Sequence, residues 1–95
     1  MGAGDWNDGM NRVGIEGKGE SVWLAWFQVS LLAPMAARAA QRGEAERASH
    51  WRGARTSLLQ AIESHGWDGA WYRRAFFDDG SPLGSAANAE CKIDL

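Results

Sequence analysis

Val22, Trp23, Trp26, Phe27, Val29, Leu31, Leu32, Met35 and Ala36 follow one another closely enough that a helix through them has no polar face. A helix that is apolar all round belongs inside a protein, covered on most sides. Ninety-five residues allow at most one small domain with a limited core. Six tryptophans, Trp6, Trp23, Trp26, Trp51, Trp67 and Trp71, sharpen the conflict. Each brings roughly 150–250 Å² of mostly apolar surface. A chain of this kind is expected to pack against more protein or against a ligand.

Ser21 precedes the apolar segment as a plausible N-cap, with Glu20 beside the positive end of the helix. Pro34 lacks a backbone donor, which predicts a kink or a restart near Ser30. Gly43, after Arg38 and Arg42, is the natural stop. A second helix is expected from about Glu44 to Ser64, closed by His65 and Gly66. Ala48, Trp51, Ala54, Leu58, Leu59 and Ile62 share its apolar face, while Ser49, Gly53, Thr56, Gln60 and Glu63 lie opposite. Arg55 stands at the edge of the apolar arc, where its stem can lie along the core. The short link between the two helices predicts an antiparallel hairpin.

Trp67 to Gly80 alternates as an extended segment, with Asp79-Gly80 a hairpin signal and Ser81 to Ser85 the return. Arg73, Arg74, Asp78 and Asp79 read most simply as a solvated face of that ribbon, and the tail from Ala86 has no evident element. The expected organisation is therefore a glycine-rich loop over residues 1–19, a helical hairpin over 20–65, and a β-ribbon with its tail over 66–95. The fold class is mainly α, an antiparallel helical hairpin plus a short β-ribbon. The ribbon cannot enclose the first helix, and the chain stops at Leu95 without a closing element, so a piece of a larger α-helical protein is expected.

Net charge is −2, with arginines scattered among acids, so the basic stripe needed for nucleic acid is missing. Cys91 is the single cysteine and has no internal disulfide partner, which suits a reducing compartment. Gly2 to Asp5 lacks the basic and apolar regions of a signal peptide. The run from Ser21 to Ala37 is better read as a buried helix than a membrane span. Two motif lookalikes fail on residues: a calcium loop would need glycine where Met10 stands, and a phosphate loop would need Ser or Thr where Gly19 stands. His50 and His65 lack the neighbouring ligands of a metal site, so no metal is expected.

The remaining candidate is Asp5-Trp6-Asn7-Asp8, flanked by Gly4 and Gly9. Two carboxylates, an amide and an indole in four residues suit sugar chemistry, with an acid to protonate a glycosidic oxygen and a ring face to stack on a pyranose. On spacing alone, turn chemistry is the simpler account of Asp and Asn beside glycine. Loop spacing alone does not fix the separation of Asp5 and Asp8, and that separation decides whether two carboxylates work together or one acts with an external nucleophile.

Gly4-Asp-Trp-Asn-Asp-Gly-Met-Asn-Arg-Val-Gly14, with Gly17-Lys-Gly-Glu-Ser-Val-Trp-Leu24, resembles the catalytic-acid segment of glycoside hydrolase family 94. That family includes cellobiose and chitobiose phosphorylases and the C-terminal part of cyclic β-1,2-glucan synthases. Trp71 to Asp94 extends the similarity, which is closer to the glucan synthase branch. The resemblance implies a fragment of an (α/α)6 barrel and a reversible, inverting phosphorolysis of β-glucosides. It implies Asp8 as the general acid and Trp6 as a residue shaping the sugar site. Inorganic phosphate is the implied co-substrate, with no other cofactor, and its use as nucleophile accounts for a single working carboxylate. The implied partners are a β-glucan oligosaccharide, phosphate, and either the rest of the parent barrel or a second copy of the chain. A cytoplasmic location is expected for this segment, with anchoring of the parent in a bacterial inner membrane left open. The competing reading is a non-catalytic, tryptophan-rich helical module that associates through its apolar faces.

Overall fold

A computed structural model describes residues 11–89. The element order is β1 (Glu20–Ser21), α1 (Val22–Gln41), α2 (Ala45–Ala61), a π-helical turn (Ile62–Gly66), β2 (Ala75–Phe76) and β3 (Pro82–Leu83). The described residues form two compact units. One is made of Leu24–His65, and the other of residues 11–23 together with 66–89.

In the helical unit, α1 ends as its sequence predicts. Gly43 takes φ +77°, its N–H donates to the Ala40 carbonyl (3.1 Å), and the Glu44 N–H reaches back to Ala39 (2.9 Å). This is a Schellman closure, which satisfies the last carbonyls of α1 and turns the chain at once into α2. Arg55 of α2 donates through Nε to the Val29 carbonyl of α1 at 3.3 Å. Both residues lie at similar sequence distances from the Gly43 turn, as an antiparallel hairpin requires. The amphipathic reading of α2 holds: Ala48 and Ile62 are buried, Trp51, Ala54, Arg55, Leu58 and Leu59 are half-buried, and the residues assigned to the other face are exposed.

Three expectations for α1 need correction. Pro34 sits inside one uninterrupted helix, so the helix does not restart. Glu20 and Ser21, counted with the helical hairpin, form strand β1: Glu20 does sit beside the helix start, but paired with Phe76 in a sheet. The helix is also not covered on most sides. Val29, Leu32, Ala36 and Ala39 are buried, whereas Phe27, Leu31 and Met35, spaced by four, remain 49%, 42% and 43% exposed. Trp23 is half exposed, and none of the five tryptophans among the described residues is fully buried. The helix tryptophans, expected as core, are therefore edge residues in this chain; over Trp51 lies the Arg47 guanidinium, 5.8 Å from the ring centre.

The second unit is built on a three-stranded antiparallel sheet in the order β1-β2-β3. Ala75 is at its centre, opposite Ser21 on one side and Leu83 on the other, with no exposed surface. Only a small side chain suits a place hemmed in on both flanks. The Asp79-Gly80 hairpin forms as predicted, with Gly80 at φ +83° and the Phe77 N–H donating to Ser81 at 2.8 Å. The strand β1 was not anticipated. It runs directly into α1, and the first helical N–H, of Val22, donates to the Arg74 carbonyl at 2.9 Å. The sheet thus satisfies a helix N-terminal donor that has no partner within the helix.

The extended reading of residues 67–80 also needs correction, because the chain reverses twice there. Asp68-Gly69, with Gly69 at φ +98°, forms a first tight turn in which Trp67 and Tyr72 pair. Their rings meet edge to face at 4.9 Å.

Candidate active site

Trp6 and Asp8, the residues expected to carry the chemistry, lie outside the described residues, as do Asp5 and Cys91. The structure describes the chain that leaves them. From Asn11 the backbone runs through turns to Gly19 and then enters β1. Within this loop the Gly17 N–H donates to the Gly14 carbonyl at 3.0 Å, and Gly17 takes φ +77°, a conformation that favours glycine. Gly19 is a close approach of backbone to backbone. A Cβ placed on it would lie 2.4 Å from the Val13 carbonyl oxygen and 2.9 Å from the Gly14 Cα. Val13 itself is buried, so the two ends of the loop are held against each other.

The loop is tied to the sheet by one carboxylate. Asp78, two residues beyond β2, accepts the Glu16 N–H on Oδ2 at 2.7 Å. Its Oδ1 accepts the Lys18 N–H and the Gly19 N–H, each at 2.8 Å. A glycine-containing loop whose N–H groups converge forms an anion-binding concavity, and here the anion belongs to the chain itself. The Glu16 N–H, followed by those of Lys18 and Gly19, holds the Asp78 carboxyl below the usual carboxylate range, against an opposing effect of burial. By contrast, the Lys18–Glu16 ion pair at 3.3 Å is solvent-exposed on both sides and adds little.

A second carboxylate organises the other edge of this unit. Asp68, its side chain only 7% exposed, accepts Arg73 Nη2 at 2.7 Å, Arg73 Nε at 2.9 Å, the Ser85 hydroxyl at 2.9 Å and the Ala86 N–H at 2.7 Å. The Ala86 N–H is the largest influence lowering the Asp68 pKa, followed by Arg73 and then Ser85. Ser85, itself buried, also receives support from Asn88, whose Oδ1 accepts the Ser85 N–H at 2.8 Å. The segment from Ala86 to Ala89, read as featureless, is therefore a bonded turn. Trp71 closes the same region through its indole N–H, which donates to the Gly84 carbonyl at 2.8 Å.

Arg73 and Asp78 are not a solvated ribbon face: one is paired to Asp68, and the other grips the loop. Asp79 serves its own turn, accepting the Ser81 N–H at 2.9 Å and its hydroxyl at 2.6 Å. Sequence reasoning missed the role of Asp78 because the residue sits about sixty positions from its donors. The available signal was on the donor side, in Gly17 and Gly19, which let the backbone turn so that the Glu16, Lys18 and Gly19 N–H groups converge.

Residues 1–95 match the family model described as glycosyl hydrolase 94 superfamily, catalytic domain. The chain belongs to this family. It is 50% identical over 91 residues to the cyclic beta-(1,2)-glucan synthase NdvB of Rhizobium meliloti (strain 1021), an alignment covering 96% of this chain and 3% of that protein. It is 38% identical over 95 residues to a 3-O-beta-D-glucopyranosyl-beta-D-glucuronide phosphorylase of Paenibacillus borealis, covering all of this chain and 12% of the relative. A solabiose phosphorylase of the same organism is 37% identical over 94 residues, 97% of this chain and 12% of its own length. The chain thus spans only a small part of the curated relatives it matches. It falls in a family of carbohydrate-active enzymes that holds glycoside phosphorylases and a glucan synthase. Among the described residues no helix is long and apolar enough to cross a membrane.

Proposed function

We propose that this chain is the acid-bearing segment of a longer catalytic domain that carries out inverting phosphorolysis of β-glucans, in a parent linked to cyclic β-1,2-glucan synthesis. The observation that carries this reading is the family match across all 95 residues, acid segment included. The half-identity to a cyclic glucan synthase supports the branch, and the phosphorylases among the relatives support the reaction.

In this reading a phosphate oxygen attacks the anomeric carbon from the face opposite the leaving sugar. The carbon–oxygen glycosidic bond breaks, its electron pair goes to the bridging oxygen, and Asp8 delivers the proton that oxygen takes up. The products are α-glucose 1-phosphate and a shortened glucan, and the Asp8 carboxylate must regain a proton before the next turnover. Asp8 must therefore be held protonated, above the ~3.9 usual for aspartate, by burial or by a neighbouring anion such as Asp5 or bound phosphate. Trp6 shapes the sugar site beside it. Phosphate is the co-substrate, and the chemistry calls on no other cofactor. The cytoplasmic location, and an inner-membrane anchor on the parent, belong to the same reading.

The exposed face of α1 supports a larger body around this chain. Phe27, Leu31 and Met35 lie along one side of the helix, about 6 Å apart at successive spacings of four residues. Packed within a barrel of paired helices, that face would be covered by a neighbouring helix, and a lone segment would be inactive. The same face favours a second reading, in which the chain is an interaction module that associates through its tryptophan-rich helices.

Replacement of Asp8 by Asn in the complete polypeptide separates the two. Loss of a general acid lowers turnover by about 10²–10⁴-fold while leaving glucan binding largely intact. Unchanged turnover would remove Asp8 from the acid role.

A further inference from the structure

We infer that residues 11–19 form a clasped loop that opens on its own when Asp78 loses its charge, while the three-stranded sheet that carries Asp78 stays folded, whatever reaction the parent catalyses.

The loop has little besides that carboxylate to hold it. Among the described residues, residues 11–18 hydrogen-bond to the sheet unit through Asp78, from the Glu16 N–H at 2.7 Å and the Lys18 N–H at 2.8 Å. The Gly19 N–H adds a third bond to the same group at 2.8 Å. The Gly17–Gly14 backbone bond and the Lys18–Glu16 ion pair lie within the loop and do not attach it to anything. Of its two apolar side chains, Val13 is buried and Ile15 is 71% exposed. Ordering nine residues costs backbone entropy that one buried side chain offsets only in part. Segments with so few buried apolar contacts open locally, at a lower free energy than the unit they belong to.

The sheet rests on other supports. Ala75 is paired on both flanks and has no exposed surface. The Phe77 N–H closes the hairpin on Ser81 at 2.8 Å. Asp68 ties Arg73, Ser85 and Ala86 together, and the Trp71 indole bonds the Gly84 carbonyl. None of these contacts includes a loop residue, and β1 joins the ladder only after the loop, at Glu20.

The charge matters because all three partners are N–H donors, so the clasp needs two accepting oxygens. A proton on either oxygen, or an amide nitrogen in its place, sets a donor against a donor. The Glu16 N–H foremost, then the Lys18 and Gly19 N–H groups and the Lys18 ammonium, hold the Asp78 carboxyl below its ordinary range against the effect of burial. The other acidic groups nearby are engaged elsewhere: Glu16 with Lys18, Asp79 with Ser81, while Glu20 belongs to β1, opposite Phe76. A carboxyl lowered in the folded state stabilises above its unfolded pKa and ceases to as pH falls through the folded one, so acid opens the clasp.

Hydrogen exchange read by mass spectrometry on the complete polypeptide tests this, with peptides over 11–19 and over 75–85 compared in wild type, Asp78→Asn and Asp79→Asn. Asp78→Asn is expected to speed exchange in 11–19 by about 10–10²-fold, the effect of losing bonds to a charged acceptor, and to leave 75–85 unchanged. Asp79→Asn removes the same charge one position along and is expected to leave 11–19 as in wild type. In wild type, protection of 11–19 relative to the intrinsic rate is expected to fall in acid below the ordinary carboxyl range, and to stay level in Asp78→Asn. Equal acceleration of both segments would show that loop and sheet open together and would overturn the proposal, as would an Asp78→Asn protein that fails to fold. Unchanged exchange in 11–19, the same acceleration in Asp79→Asn, or a level acid profile in wild type would remove Asp78 and its charge as the clasp.

Discussion

Replacing Gly19 by Ala inserts one methyl group where the structure has no room for it. The new Cβ would lie 2.4 Å from the Val13 oxygen, 2.8 Å from the Val13 carbonyl carbon and 2.9 Å from the Gly14 Cα. Ordinary carbon contacts lie at ~3.5 Å, so the two ends of the loop would have to part by ~1 Å. All three obstacles are backbone, so no side chain can swing aside to absorb the strain. Separation of that size also pulls the Gly19 N–H, now 2.8 Å from Asp78, out of good hydrogen-bonding range. Overpacking of this kind costs ~1–3 kcal/mol. For a domain of this size each kcal/mol corresponds to ~4–8 °C in Tm. Gly53→Ala is the matched control. Gly53 lies inside α2, exposed, with nothing within 4 Å of its Cβ position. Alanine there is expected to stabilise by ~0.8–1 kcal/mol through helix propensity alone. The two substitutions add the same atom and should move Tm in opposite directions, as followed by far-UV circular dichroism and tryptophan fluorescence. A Gly19→Ala protein that unfolds at or above the wild-type temperature would refute the close approach of Gly19 to Val13.

Acidification should weaken the sheet unit. Asp68 and Asp78 both have lowered pKa values in the folded state, so their contribution is present above the ordinary carboxyl value of ~3.9 and is lost as pH falls through the lower folded values. Urea unfolding across that acid range should show stability falling with pH, and the fall should be shallower in Asp78→Asn; an equal slope in the variant would contradict the assignment. On the helical side, Leu31→Glu and Met35→Glu should reduce self-association of the 95-residue chain in sedimentation, because both residues lie on the exposed face of α1. Unaltered sedimentation would show that the face is not what the chain uses to associate. In the complete polypeptide, Asp8→Asn is expected to lower turnover by about 10²–10⁴-fold with glucan affinity retained, read by kcat and KM.

The helical hairpin was legible because its signals are local. Gly43 follows the last periodic residue of α1, the 3.6-residue pattern of α2 puts Arg55 at the edge of the buried arc, and both features recur in the structure. Asp79-Gly80 was legible for the same reason. Asp68-Gly69 carries an equal turn signal, but the aromatic alternation around it favoured a continuous strand. What could not be read was pairing between distant segments. A two-residue strand such as β1 has no periodicity to detect, and its partner Ala75 lies more than fifty residues away. The grip of Asp78 on Glu16, Lys18 and Gly19 is of the same kind, since a carboxylate beside a turn looks solvated until the donors that converge on it are placed. The exposure of Phe27, Leu31 and Met35 is a different case. Their apolar character was plain in the sequence, but a helix that reads as apolar all round gives no sign of which face will be buried.

Incubating the complete polypeptide with a β-glucan, with and without inorganic phosphate, and identifying the sugar product by ³¹P and ¹H NMR, addresses the reaction itself. The expected result is glucose 1-phosphate of α configuration that appears only when phosphate is supplied. Free glucose released at the same rate without phosphate, or a β-configured phosphate ester, would contradict inverting phosphorolysis with Asp8 as its acid.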